Sequence, residues 1–468
     1  MSVAAFFPIV SRFRPLPGLL VLFFAGSFLL ASAEASERKE TVVVLDSPEI
    51  EELLDTLGKP LVKAAGLPAD SVQFHIILNS QINAMALPNG HLVFNSGLVD
   101  QCQSPEELAS VMAHETAHLA AGHHVRLQKE MRSVSIQALL ATVAGLAAGV
   151  ASGNNRITEA AMVGSSAAAQ SMMLDSMREK ESQADRLAIH YLAKTGTNPE
   201  SMAIFLRHLL GEQRKASMPA PYLLTHPLSA ERVLDAERTA SVVRTTTNSA
   251  APVAPESLRR VQAFLIAASE TDPRKAETLL QNRLKTRPDD ISARYGLAMV
   301  HRYAGETKKA LADIDALLAT HPRDPWFLRE KGLLLLDEGK PALAEEVFLQ
   351  ALELKPDNPD LRYRLAVSFS EGGKRDAAAR SLRRLTVEKP MVPNYQYQLG
   401  LVEGQRERLG PAHLAMARHH ALLMDEKMTL FHYRAALDHF TRADQEYDIA
   451  RTELKRFEDE QKKIRSSR

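Results

Sequence analysis

The chain of 468 residues is long enough for two or three domains, and with 45% hydrophobic and 24% charged residues it has ordinary globular composition. Lys+Arg and Asp+Glu are equal at 57 each, so there is no basic excess for phosphate backbones, and nucleic-acid binding is not expected. One cysteine, Cys102, excludes an internal disulfide framework and any cysteine-clustered metal site, leaving 16 histidines as the stock of interest.

Arg12 and Arg14 precede an apolar, charge-free run from Leu16 to Ala31 that ends in Ala31-Ser32-Ala33, which predicts a cleaved export signal over residues 1–33. An uncleaved anchor helix and mitochondrial import are the alternatives. Helical spacing from Glu49 to Ala65 predicts a helix with a kink or break at Pro60. Short strands follow at Val72 to Leu78, Ala84 to Leu87 and Leu92 to Phe94, the last two joined by a Pro88-Asn89-Gly90 turn. A long helix opens at Ser104-Pro105-Glu106-Glu107, where serine caps, proline fits the first turn and acids suit the positive end. Beyond it, Ser133 to Asn155 carries no charge and is rich in Ala, Gly, Leu and Val. The wider segment 133–174 is expected to form a helical hairpin packed on the protein or touching a membrane surface, in preference to a transmembrane pair. Gly145, Gly149 and Gly153, four apart, favour close helix packing in either case.

The C-terminal half is repetitive. Pro288, Pro322, Pro356 and Pro390 fall 34 residues apart, as do Gly305, Gly339 and Gly373, and the small residues Ala298, Gly332, Ala366 and Gly400. That period, with small residues where helices cross and glycine at the inter-helix turn, is the tetratricopeptide pattern. A degenerate unit flanks each end, and the last has Met424 where the period calls for proline. The run TASVVRTTTNSAAPVAPE lacks periodicity, so the expected domains are 34–238, a linker at 239–256 and repeats over 257–468.

The chemistry resides in His114-Glu115-Thr116-Ala117-His118. Residues four apart share a helix face, so two imidazoles can meet one Zn²⁺ while Glu115 serves as general base toward a water. A catalytic zinc needs a third protein ligand and an open position. His124 has metzincin spacing, but that turn requires glycine at 121, where Ala121 stands, and Gly122 comes one residue late. Glu181 is favoured: in Glu181-Ser182-Gln183-Ala184-Asp185 it shares a helix face with Asp185, which can orient an imidazole N–H, while Glu179 points elsewhere. The expected fold is mainly α, an α+β zincin-type metallopeptidase domain with a small sheet, followed by an all-α tetratricopeptide superhelix.

HETAH with the later ExxAD helix, preceded by Asn83-Ala84-Met85-Ala86-Leu87-Pro88-Asn89-Gly90 and followed by Thr225-His226-Pro227 and Arg232, resembles the zinc peptidases related to HtpX and the CAAX prenyl endopeptidases. With the export signal and the repeats, the whole mature chain resembles the family's periplasmic BepA-type branch. The resemblance implies one Zn²⁺ per chain, Asn83 to Leu87 as a substrate-binding edge strand, and His226 as a removable fourth ligand or an oxyanion stabiliser. It further implies a periplasmic endopeptidase, membrane-associated in one variant, that degrades misfolded or stalled outer-membrane proteins and engages the outer-membrane assembly machinery through its repeats. The competing expectation is a chaperone or assembly adaptor whose peptidase site is largely silent.

Overall fold

A computed structural model describes residues 43–45, 47–87, 89–123, 126, 176–215, 222–223, 226–243, 253–270 and 272–466. The export signal expected at 1–33, the hairpin expected at 133–174, His124, Pro88 and Thr225 lie outside the described residues. The chain divides into two compact units between Leu265 and Ile266.

The first unit begins with β1 (Val44–Leu45) and α1 (Pro48–Ala64). Ser47 starts α1 by accepting the Ile50 N–H at 3.3 Å, and Pro48 occupies the first turn, where a helix needs no N–H. The break expected at Pro60 does not occur, and the helix continues to Ala64. Leu53, Leu54 and Leu57 before the proline and Leu61 and Val62 around the next turn are all buried on one core. Each such side chain contributes about 1.5–3 kcal/mol on burial, more in sum than the roughly 3 kcal/mol an interior proline costs.

β2 (Gln73–Ile77), β3 (Ala84–Ala86) and β4 (His91–Asn95) match the predicted strands to within a residue at each end. The sheet order is β1-β2-β4-β3, with β2 and β4 parallel and the outer pairs antiparallel. β3 is thus an edge strand among the described residues. Leu87 donates to His91 O and Asn95 donates to Asn83 O, so residues 83, 85 and 87 face β4. By the two-residue alternation of an antiparallel pair, Ala84 and Ala86 turn their backbone polar groups to the open edge.

After α2 (Ser96–Gln101), α3 (Pro105–Ala120) starts as expected, with Ser104 Oγ accepting the Glu107 N–H at 3.3 Å and Glu107 reaching back to the Gln103 N–H at 3.1 Å. It packs against α1 and β3, and its residues from Leu108 to His118 are buried on every side. α3 ends at Gly122, whose φ of +64° reverses the chain, a conformation glycine adopts without steric cost. The helix over 176–195 (α4), α5 (Ser201–Lys215) and α6 (Ala230–Val242) complete the layer around α3. α6 enters the stretch expected as linker, and α7 (Pro255–Ser269) begins inside it. On α7, Gln262 donates to the carbonyls of Val99 and Cys102 at 3.0 and 2.8 Å, so the start of that helix belongs with the first unit.

The second unit is all helical. After α8 (Pro273–Thr286) come the pairs α9 (Ile291–Tyr303) with α10 (Thr307–Thr320), α11 (Pro325–Asp337) with α12 (Pro341–Leu354), and α13 (Pro359–Glu371) with α14 (Arg375–Glu388). α15 (Pro393–Gln405) with α16 (Leu409–Leu422) and α17 (Glu426–His439) with α18 (Gln445–Ser466) follow. Gly305, Gly339 and Gly373 take φ of 75°, 70° and 77° at the turns within pairs, while at Gly332 an added Cβ would lie 2.5 Å from the Phe348 ring. Met424 has φ of 58°, which proline cannot adopt, and this explains the missing proline of the last unit.

Candidate metal centre

Three stretches of chain converge in the first unit. α3 brings His114, Glu115 and His118, α4 brings Glu181 and Asp185, and the segment entering α6 brings His226 and Arg232; all seven are buried. His114 Nε2 lies 3.0 Å from His118 Nε2 and 3.3 Å from Glu181 Oε2, and His118 Nε2 lies 3.2 Å from Glu181 Oε1. His226 Nδ1 stands 3.3 Å from His114 Nε2 and 3.0 Å from Glu181 Oε2. One ligand atom from each of His114, His118, Glu181 and His226 falls within 4.8 Å of the others.

This donor set fits a metal ion. Four atoms about 2.0–2.1 Å from a common centre in a tetrahedron stand about 3.3 Å apart, close to the contacts seen here. Charge points the same way. Three buried carboxylates, Glu115, Glu181 and Asp185, face one buried permanent cation, Arg232, and a dication would supply the balance. Burial lowers the His114 pKa, but hydrogen bonds and charge from Asp185 and Glu181 more than reverse this, to about 10. Burial dominates at His118 and holds it at about 3. For Glu181, burial raises the pKa and the charge of His226 with hydrogen bonds from the three histidines outweighs it, leaving the carboxyl well below its usual range.

Glu115 differs. Burial pushes its carboxyl above the ordinary value, the Ala86 N–H of the edge strand donates to it, and its Oε1 is buried without a hydrogen-bond partner, 3.6 Å from His226 Nε2. A carboxylate so placed has a free lone pair beside the ligand cluster. Asp185 Oδ1 lies 2.9 Å from His114 Nδ1, and its two oxygens accept from Arg232 Nε and Nη2 at 2.9 and 3.0 Å. Arg232 Nη1 also reaches Glu181 Oε2 at 3.1 Å and Pro227 O at 2.8 Å. His226 is anchored as well: its N–H donates to Tyr222 O at 2.7 Å, and its ring stacks on that of Tyr222 with centroids 4.5 Å apart.

The sequence-based site residues thus gather in one place, with Ala84 to Ala86 on the strand beside Glu115. Asn83, at the start of that strand, has a buried side-chain oxygen without a hydrogen-bond partner. The sequence reading missed His123 and Gln183. His123 Nδ1 lies 3.0 Å from His118 Nδ1, and His123 Nε2 lies 3.1 Å from Gln183 Oε1. The late glycine at 122 was the available signal, since a left-handed residue there returns position 123 toward the helix it has just left.

Residues 48–240 match Peptidase family M48, and residues 262–325, 295–359 and 335–399 match tetratricopeptide repeats. A Yersinia pestis protein named beta-barrel assembly-enhancing protease is 28% identical over 377 residues, spanning 79% of this chain and 74% of its own length. Its namesake in Escherichia coli K12 is 28% identical over 358 residues, 73% of this chain and 69% of the relative. A Vibrio cholerae protein, a putative beta-barrel assembly-enhancing protease, is 36% identical over 197 residues, 42% of this chain and 40% of its own.

Proposed function

We propose, for a chain that is a metalloprotease with a Peptidase family M48 domain and tetratricopeptide repeats, that it is an exported zinc endopeptidase acting on misfolded or stalled outer-membrane proteins. The observation that carries the reading is the convergence of His114, His118, Glu181 and His226 beside the unpartnered oxygen of Glu115. Mixed imidazole and carboxylate donors in a four-atom set suit zinc. His114, His118 and Glu181 would hold it, and when bound it supplies Lewis acidity to the scissile carbonyl and the attacking water.

The protein's own groups do the rest. Glu115 Oε1 takes the water's proton and hands it to the leaving amine, a role suited to a buried carboxyl whose pKa is raised. The Asp185 carboxylate, 2.9 Å from His114 Nδ1, favours the proton on that nitrogen and so leaves the other ring nitrogen for the metal, while Arg232 clamps Asp185. The outward backbone groups of Ala84 and the outward carbonyl of Ala86, with Asn83, Met85 and Leu87 setting the register, receive an extended substrate by strand addition, while the Ala86 N–H holds Glu115. His226, whose Nδ1 joins the cluster from a segment outside α3 and α4, would be the removable member of the ligand set.

Export rests on the Arg12 to Ala33 pattern, and the outer-membrane substrate class and an assembly partner docked on the repeats rest on the relatives' names. No helix among the described residues is long and apolar enough to cross a membrane. The test separates ligand from base. Glu115→Gln is expected to abolish cleavage of an unfolded outer-membrane protein with zinc still stoichiometric, whereas Glu181→Gln loses both. Wild-type turnover by the Glu115 variant would refute the reading.

A further inference from the structure

Each histidine of the HETAH pair points one ring nitrogen at the ligand cluster and leaves the other to be satisfied by the protein. For His114 the partner is a carboxylate, Asp185. For His118 it is another imidazole: His118 Nδ1 and His123 Nδ1 are 3.0 Å apart, in a buried contact five residues along the chain. His123 Nε2 in turn stands 3.1 Å from Gln183 Oε1, an oxygen that can only accept. The proton positions follow from one another. Gln183 Oε1 requires the hydrogen on His123 Nε2, so neutral His123 presents a lone pair at Nδ1. His118 must then donate from its own Nδ1, which leaves the His118 Nε2 lone pair directed at Glu181 and His114.

We propose that His123 and Gln183 form a positioning relay that fixes the tautomer and ring orientation of His118 for metal binding. The inference rests on the metal-centre reading above and goes beyond it by assigning two residues outside the ligand set. One stretch of α4 would then serve the whole site: Glu181 as ligand, Gln183 acting through His123 on His118, and Asp185 acting on His114. Gly122 is the structural precondition, since its φ of +64° brings His123 back beside the helix face that carries His118.

The test measures zinc affinity of the full chain by chelator competition, together with the visible spectrum of the Co²⁺-loaded protein, which reports ligand geometry without reference to activity. His123→Leu, which removes the acceptor, is expected to weaken zinc binding about 10–100-fold and to alter the cobalt bands. His123→Asn places an amide oxygen near the lost Nδ1 and is expected to restore affinity to within about threefold of wild type, with the bands recovered. Gln183→Leu, which frees His123 to take either tautomer, is expected to fall between them. Wild-type affinity in His123→Leu, or equal losses in the leucine and asparagine variants, would overturn the relay in favour of simple packing. Should His123→Leu fail to fold, unchanged affinity in Gln183→Leu overturns it and an intermediate loss there upholds it. A wild-type chain that takes up no zinc refutes the metal-centre reading and this inference together; a chain that binds zinc equally well in every variant refutes this inference alone.

Discussion

Replacing Arg232 with methionine keeps most of the side-chain volume and deletes the guanidinium that two carboxylates share. The native group holds Asp185 through a bidentate pair at 2.9 and 3.0 Å and Glu181 at 3.1 Å, and it is 5% exposed. Removing one partner of a buried ion pair leaves an uncompensated charge and costs about 3–5 kcal/mol, a large share of the 5–15 kcal/mol that typically stabilises a domain. For a domain of this size, about 2–4 °C of melting temperature per kcal/mol gives an expected fall of about 6–20 °C. Differential scanning calorimetry of the full chain would register it in the transition of the first unit. Zinc affinity is expected to fall with it, because Asp185 loses the group that holds it against His114 Nδ1. Arg232→Lys retains the charge without the planar fork and should lie between the two. A loss below about 1 kcal/mol in Arg232→Met, the value of an exposed pair, would refute the reasoning.

Ala86→Pro removes the N–H that donates to Glu115 and leaves the β4 ladder intact, so cleavage of unfolded substrates should collapse while the fold survives, as circular dichroism and a cleavage assay would show. If β3 reads backbone, mapped cleavage sites should lie in extended segments with loose sequence preference, and a strict consensus would contradict strand addition. His226→Ala is expected to raise basal proteolysis with zinc retained by the remaining ligands; a fall in kcat at constant zinc content would instead make His226 a stabiliser of the oxyanion. In the repeats, Arg329 at 2.6 Å and Arg364 at 3.2 Å hold the Asp360 pKa at about 2 despite the opposing effect of burial. A depressed carboxyl pKa gives stability present above the unfolded value near 4 and lost as pH falls toward 2, worth about 2 kcal/mol. Urea unfolding at pH 7 and pH 2.5 should therefore differ by about 1.5 kcal/mol less in Asp360→Asn than in wild type, part of the contribution surviving at pH 2.5.

What the sequence made legible is what periodicity encodes. His114 and His118 lie one helical turn apart, Glu181 and Asp185 do the same on a second helix, and the 34-residue period marks the repeats. What it hid depends on tertiary contact. The local rule at Pro60 predicts a kink or break, and the apolar surface that keeps the helix continuous comes from elsewhere in the chain. β1 is two residues long and carries no pattern. His123 has no ligand spacing to mark it, since the decisive quantity is a backbone angle at Gly122, and Gln183 has no chemical signature. The non-periodic run at 239–256 gives no sign of Gln262, the side chain that ties the next helix back to Val99 and Cys102.

The ligand cluster is drawn from positions 114, 118, 181 and 226, stretches separated by many tens of residues. An extended chain holds only the two histidines of α3 near each other, and two imidazoles on a mobile segment grip a metal weakly. The peptidase is therefore latent by construction: an unfolded chain has no assembled site with which to damage its neighbours. Acquisition of the metal and completion of the fold become a single event, so the appearance of hydrolytic activity is itself a report that the molecule has folded.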